Sequence, residues 1–174
     1  MTVLIQKLSK LRFAAVIRVA LALFIVVFGA GVTLAQTQQV SFTATGTAVI
    51  TGVTKLPGGL TQLTGTVSGN ATHLGDVTGP ITRIQDNQGN FGTTEVFIAA
   101  NGKDSIFLSV SGTFQGKGGG DKCVITSTGT YTITGGTGAF ANATGSGTIA
   151  TTIDLCAGTA IGTYTGTISQ PNSN

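Results

Sequence analysis

From Val40 onward the chain alternates apolar or small residues with hydroxylated ones, and a period of two marks half-buried β-strands. The first run sets Val40, Phe42, Ala44, Gly46, Ala48 and Ile50 against Ser41, Thr43, Thr45, Thr47, Val49 and Thr51. Residues 60–74 repeat the scheme, with Leu63, Gly65, Val67, Gly69, Ala71 and His73 on the apolar side. Residues 77–85 form a weaker strand. There Gly79-Pro80 predicts a bulge or a sheet edge, because proline cannot donate to a ladder.

Residues 93–100 and 103–114 flank Asn101-Gly102, the pair favoured in a type I′ turn, and so predict a hairpin. That turn pairs Ala100 with Lys103, which sets Phe97 opposite Ile106 and Glu95 opposite Leu108. Residues 116–121 form a Gly/Lys loop. Strands over 123–134, 147–155 and 160–168 complete a set of about eight, and no helical pattern follows residue 35. Matching the apolar faces of the first two of these pairs Ile125 with Leu155, Tyr131 with Ile149 and Ile133 with Gly147.

Each strand thus has one dry and one wet face. The many small residues at dry positions suit a tightly curved sheet, and closure removes the edges that a charge-poor Thr/Val chain would leave open. An all-β, eight-stranded antiparallel barrel of calycin-like form is the first reading. A two-sheet sandwich is the second. A Thr-faced solenoid is the third, although no strict repeat length supports it.

The first 35 residues are different. Lys7, Lys10, Arg12 and Arg18 precede a run from Val19 to Leu34 without charge, and Thr33-Leu34-Ala35 offers small residues at a cleavage point before Gln36. This reads as a signal-peptide helix over 1–35 followed by a domain over 36–174, exported to the periplasm, the cell envelope or the medium. The alternative is an uncleaved anchor, for which the uncharged run is short. Removing the leader changes the charge balance. The whole chain carries +3, but residues 36–174 hold five Lys/Arg against six Asp/Glu, or −1. A basic patch for nucleic acid is therefore not expected, nor is membrane attachment after cleavage.

One segment carries a family likeness. Gly135-Gly136-Thr137-Gly138-Ala139-Phe140, followed by Ala143 and Gly145, resembles a glycine-rich turn of the allene oxide cyclase and dirigent barrel superfamily. The likeness is nearest to its small secreted bacterial relatives of unknown function. Residues 71–75 and 99–102 also resemble segments of those relatives. The resemblance implies an eight-stranded antiparallel barrel with a central cavity. In plant members the chemistry is cyclisation of an unsaturated lipid epoxide or steering of radical coupling. No pocket residue of theirs is carried onto this chain. The turn itself, through Gly135, Gly136, Gly138 and Phe140, reads as structural, since it lacks the helix and lysine of a phosphate loop.

Few side chains offer chemistry. Cys123 and Cys156 are the only cysteines, and in an exported protein a pair reads as a disulfide. The matched register sets Cys123 opposite Ala157, so the bridge needs a bulge or strand end near 154–157. A redox pair would lack the CxxC spacing. His73, the single histidine, lies by parity on the apolar face, either as a cavity base or as a backbone-bonded structural residue. Glu95 turns inward in the hairpin register, and Arg83, the only arginine after the leader, is its candidate partner. The two would form a polar anchor in a cavity or a structural ion pair, unless a bulge turns Glu95 to solvent. No metal site, cofactor site or nucleophile elbow is expected. A Thr ladder over 126–134 would order water or ice only on a flat sheet. Three functions remain: a non-enzymatic binder of a small hydrophobic ligand or an envelope component, a cyclase or isomerase using Glu95, His73 and Arg83, and a self-associating structural or adhesive protein forming oligomers.

Overall fold

The computed structural model describes residues 38–115, 123–169 and 171. The leader over 1–35 and the Gly/Lys loop lie outside the described residues. Eight strands follow in order: β1 (Gln39–Lys55), β2 (Thr61–Ala71), β3 (Gly75–Gln85), β4 (Asn90–Ala99), β5 (Ser105–Gln115), β6 (Val124–Thr137), β7 (Gly145–Asp154) and β8 (Thr159–Ser169). Each pairs antiparallel with the next. Ala44 of β1 lies opposite both Ala71 of β2 and Tyr164 of β8, so the sheet closes on itself. The barrel is formed, and the sandwich and solenoid are not. Its hydroxyl ladder over Thr126, Thr128, Thr130, Thr132 and Thr134 is exposed on a curved wall rather than a flat one.

The dry face fills the interior. Phe42, Phe97, Ile106, Leu108, Tyr131, Ile133 and Ile168 are all buried, and each such side chain contributes about 1.5–3 kcal/mol by leaving water. The interior is narrow, so large rings need small neighbours. Gly147 and Gly166 face each other across β7 and β8. A Cβ on Gly147 would come 2.7 Å from the Tyr131 ring, and one on Gly166 would come 2.5 Å from its hydroxyl. Two absent side chains thus make the space that Tyr131 occupies.

Three local expectations are corrected. First, β3 runs through Gly79-Pro80 without a bulge, and closure leaves it no free edge. Its ladder to β4 only lapses between Thr78–Ile98 and Ile81–Glu95, where proline has no N–H to give. Second, the β4–β5 connection keeps the expected register, Phe97 opposite Ile106 and Glu95 opposite Leu108, but not the type I′ turn. Gly102 has φ 67°, whereas Asn101 is not in the left-handed region that such a turn requires of it. Asn101 Oδ1 instead accepts from the Lys103 and Asp104 amides at 2.9 and 3.0 Å. The ladder ends one residue earlier, where Ala99 N donates to Asp104 O at 2.9 Å.

Third, β6 and β7 pair two residues away from the apolar-face match. Tyr131 lies opposite Gly147, Ile133 opposite Gly145 and Ile125 opposite Ile153. Large residues face glycines here because the ring of Tyr131 needs the space above Gly147. This register brings Leu155 to Cys123, whose carbonyl accepts from the Leu155 amide at 2.8 Å. β7 stops at Asp154, and the turn beyond it carries Cys156 into a disulfide with Cys123, Cα to Cα 5.3 Å.

The two barrel ends differ. At one, the glycine-rich turn makes a short 3-10 turn over Gly138–Phe140 that sends Phe140 into the interior, where it and Ala143 are buried. Gly138 has φ 60°, and a Cβ there would stand 2.0 Å from Asp104 Oδ1, the atom that accepts from the Ala139 amide at 2.8 Å. That end is plugged. The other end carries the β1–β2, β3–β4 and β7–β8 turns and the disulfide, and among the described residues nothing plugs it.

Candidate functional site

The interior leaves a cavity of about 190 Å³ on the side of the open end, with Val53, Leu155 and Gly158 among its lining residues. Alternation puts every second residue of each strand inward, so its walls come from Ala48, Val67, Ile81, Ile149 and Ile153. Thr151, Asp154 and Thr159 are polar members of the same lining, and three larger polar side chains reach the space as well: Arg83 from β3, Glu95 from β4 and Tyr164 from β8. All three are buried, with Glu95 3 % exposed and Arg83 9 %.

The register fixes their order along the barrel. Ile81 pairs with Glu95 and Arg83 with Thr93, so Arg83 lies two residues nearer the open end. Glu95 is the deeper group, and its Oε2 accepts from the Tyr164 hydroxyl. The Tyr164 ring packs edge-on against Phe97 at 5.4 Å and against Tyr131 at 5.8 Å, and Tyr131 in turn meets Phe42 at 5.9 Å. Of these rings Tyr164 lines the cavity, and the others pack behind it in the core.

Desolvation dominates the electrostatics. It pushes the Glu95 carboxyl above the ordinary carboxylate range, against the hydrogen bond from Tyr164 and the positive field of Arg83, which act the other way. It also raises the Tyr164 phenol, with the neighbouring Glu95 adding to the effect. Burial alone pushes the Tyr131 phenol up to about 12, and that hydroxyl has no protein partner. Arg83 is lowered by burial and raised by Glu95. Its Nε donates to Thr93 Oγ1 at 3.2 Å, and its guanidinium carbon stands 4.0 Å from the Phe91 ring centroid.

Two of the three sequence candidates therefore meet and one does not. Glu95 turns inward as the hairpin register requires, and the solvent-facing alternative is overturned. Arg83 shares its cavity as a coulombic neighbour rather than in ion-pair contact. His73 is exposed at the plugged end, away from the cavity. β2 ends at Ala71, two residues short of it, so strand parity no longer applies. His73 takes φ 70° in the turn, and its Nε2 lies 3.0 Å from Ser41 O. The sequence reading missed Tyr164, 69 residues from its partner Glu95. The available signal was its place on the inward side of β8 between Gly162 and Gly166. Among the described residues, no group of three His, Cys, Asp or Glu side chains is placed to hold a metal ion, and no helix is long and apolar enough to cross a membrane.

No family model matches the chain, and no curated protein matches it. Among solved structures it is similar to a pterocarpan synthase dirigent protein, at 15 % identity and a TM-score of 0.47, over 79 % of this chain and 87 % of that one.

Proposed function

We propose that this domain is an exported binding protein that holds one small, mostly apolar molecule in its open-ended cavity. The observation that carries the reading is an apolar space with three converging polar groups at one end of a closed barrel. Aliphatic cavities of about 150 Å³ hold a benzene-sized molecule. A cavity of about 190 Å³ therefore takes one substituted ring, less than the roughly 300–1,000 Å³ of common ligand pockets. Export draws its support from the basic and apolar leader and from the disulfide, which suits an oxidising compartment.

The Glu95–Tyr164 pair favours a second reading, an enzyme of the cyclase or isomerase kind. A buried carboxyl that desolvation makes hold its proton more tightly than usual is equipped to act as a general acid. Native, non-reducing mass spectrometry on the protein from the exported fraction tests both readings. A mass beginning at Gln36, with extra mass that leaves on denaturation, supports binding and identifies the molecule. Conversion of that molecule by the parent, lost in Glu95→Gln, would favour the enzyme. Bare protein whose melting temperature is unmoved by saturating toluene would overturn the binding reading.

A further inference from the structure

An arginine side chain keeps its charge at any pH a folded protein meets, so Arg83 is a fixed cation inside the barrel. Burying a charge is costly unless something pairs with it. Its partners here are weak. Nε donates to the neutral hydroxyl of Thr93, and the guanidinium lies over the rings of Phe91 and Phe114, 4.0 and 5.3 Å from their centroids. Cation–π contact offsets only part of the lost hydration.

Among the described residues no carboxylate meets Arg83 in contact. Glu95 Oε2 accepts from the Tyr164 hydroxyl, and Glu95 acts on the guanidinium only at coulombic range. Asp154 accepts from the Cys156 and Ala157 amides, and Asp86 accepts from its own loop at Gln88 and Asn90. The terminal nitrogens of Arg83 carry no hydrogen bond to another described residue. Arg83 lines both the cavity and a wider recess at the open end.

Resting on the binding reading above, we propose that the ligand is a small aromatic or alicyclic monocarboxylate bound as its anion. Its carboxylate meets the terminal nitrogens of Arg83 in the two-pronged geometry that guanidinium favours. Its ring lies against Val67, Ile81 and Ile149, and its far end approaches the Glu95–Tyr164 pair. The spacing fits, because Arg83 and Glu95 are two residues apart along the strand direction, roughly 7 Å, about the length of a substituted ring.

Calorimetric titration at pH 7 with p-toluate, p-toluamide and toluene tests this. The three share a ring, and only the first is an anion. In the parent, p-toluate should bind about tenfold or more tightly than either neutral compound. Arg83→Gln should weaken p-toluate about tenfold to a hundredfold and leave toluene unchanged. If that variant does not fold, Arg83→Lys serves in its place, keeping the charge but losing the two-pronged contact, and p-toluate should weaken while toluene does not. Equal affinity of all three for the parent would overturn the anion proposal and leave the binding reading standing. Binding of none of them, with no native ligand mass, would overturn the binding reading itself.

Discussion

The Cys123–Cys156 bridge joins the residue before β6 to the turn after β7, 33 positions apart, and clasps that hairpin at the open end. In the chain-entropy account a cross-link stabilises by restricting the unfolded chain, and the effect grows with the logarithm of loop length. For a loop of this length the relation gives roughly 12–13 cal/mol/K, or about 3.7 kcal/mol at 25 °C. Replacing both cysteines by alanine should therefore cost about 3–4 kcal/mol. For a domain of this size that is a fall in Tm of roughly 10–15 °C. The backbone bond from Leu155 to Cys123 involves neither side chain and should persist. Urea unfolding followed by circular dichroism measures the difference. The variant should also show a steeper denaturant slope, because its unfolded chain is free to expand. A loss below about 1 kcal/mol, or an unchanged slope, would refute the idea that the bridge acts through the unfolded state.

Three other outcomes follow from the interior and the plugged end. Glu95 binds its proton more tightly folded than unfolded, so stability is greatest below the ordinary carboxylate range and falls as pH rises from there through the raised folded value. Glu95→Gln should remove that downward slope above the ordinary carboxylate range, and an unaltered slope in urea titrations would sink the assignment. Tyr131→Phe deletes a buried hydroxyl that lacks a protein partner and should stabilise by about 1 kcal/mol, whereas a loss of stability would mean that the hydroxyl is satisfied by water. His73→Asn, at a position whose left-handed backbone asparagine tolerates, should change stability by less than about 0.5 kcal/mol and leave p-toluate affinity as it was. Altered affinity would show that the two ends are coupled.

The period-two pattern was enough to count the strands, because each buries one face and few residues break the alternation. The Glu95–Leu108 register was legible for the same reason, since the apolar residues of β4 and β5 match face to face. Where large packs against small, that logic fails. Tyr131 wants a glycine opposite it, so matching apolar with apolar put Ile149 there and slid β6 against β7 by two residues. His73 was misplaced because parity assumes that the strand continues, and β2 ends before it. The site was half legible. Local pattern turned Glu95 inward, but nothing local to it points to Tyr164, which the closure of the barrel alone brings into reach.

That closure also sets a clock. β1 starts at Gln39, while β8, the strand that seals against it, begins only at Thr159. At common synthesis rates of about 5–20 residues per second, the last partner lags the first strand by roughly 6–24 s. Until it arrives, the sheet has two raw edges of Val, Thr and Ile. The chain is most exposed to misassembly not while it is long and unfolded, but when seven strands have paired and one is missing.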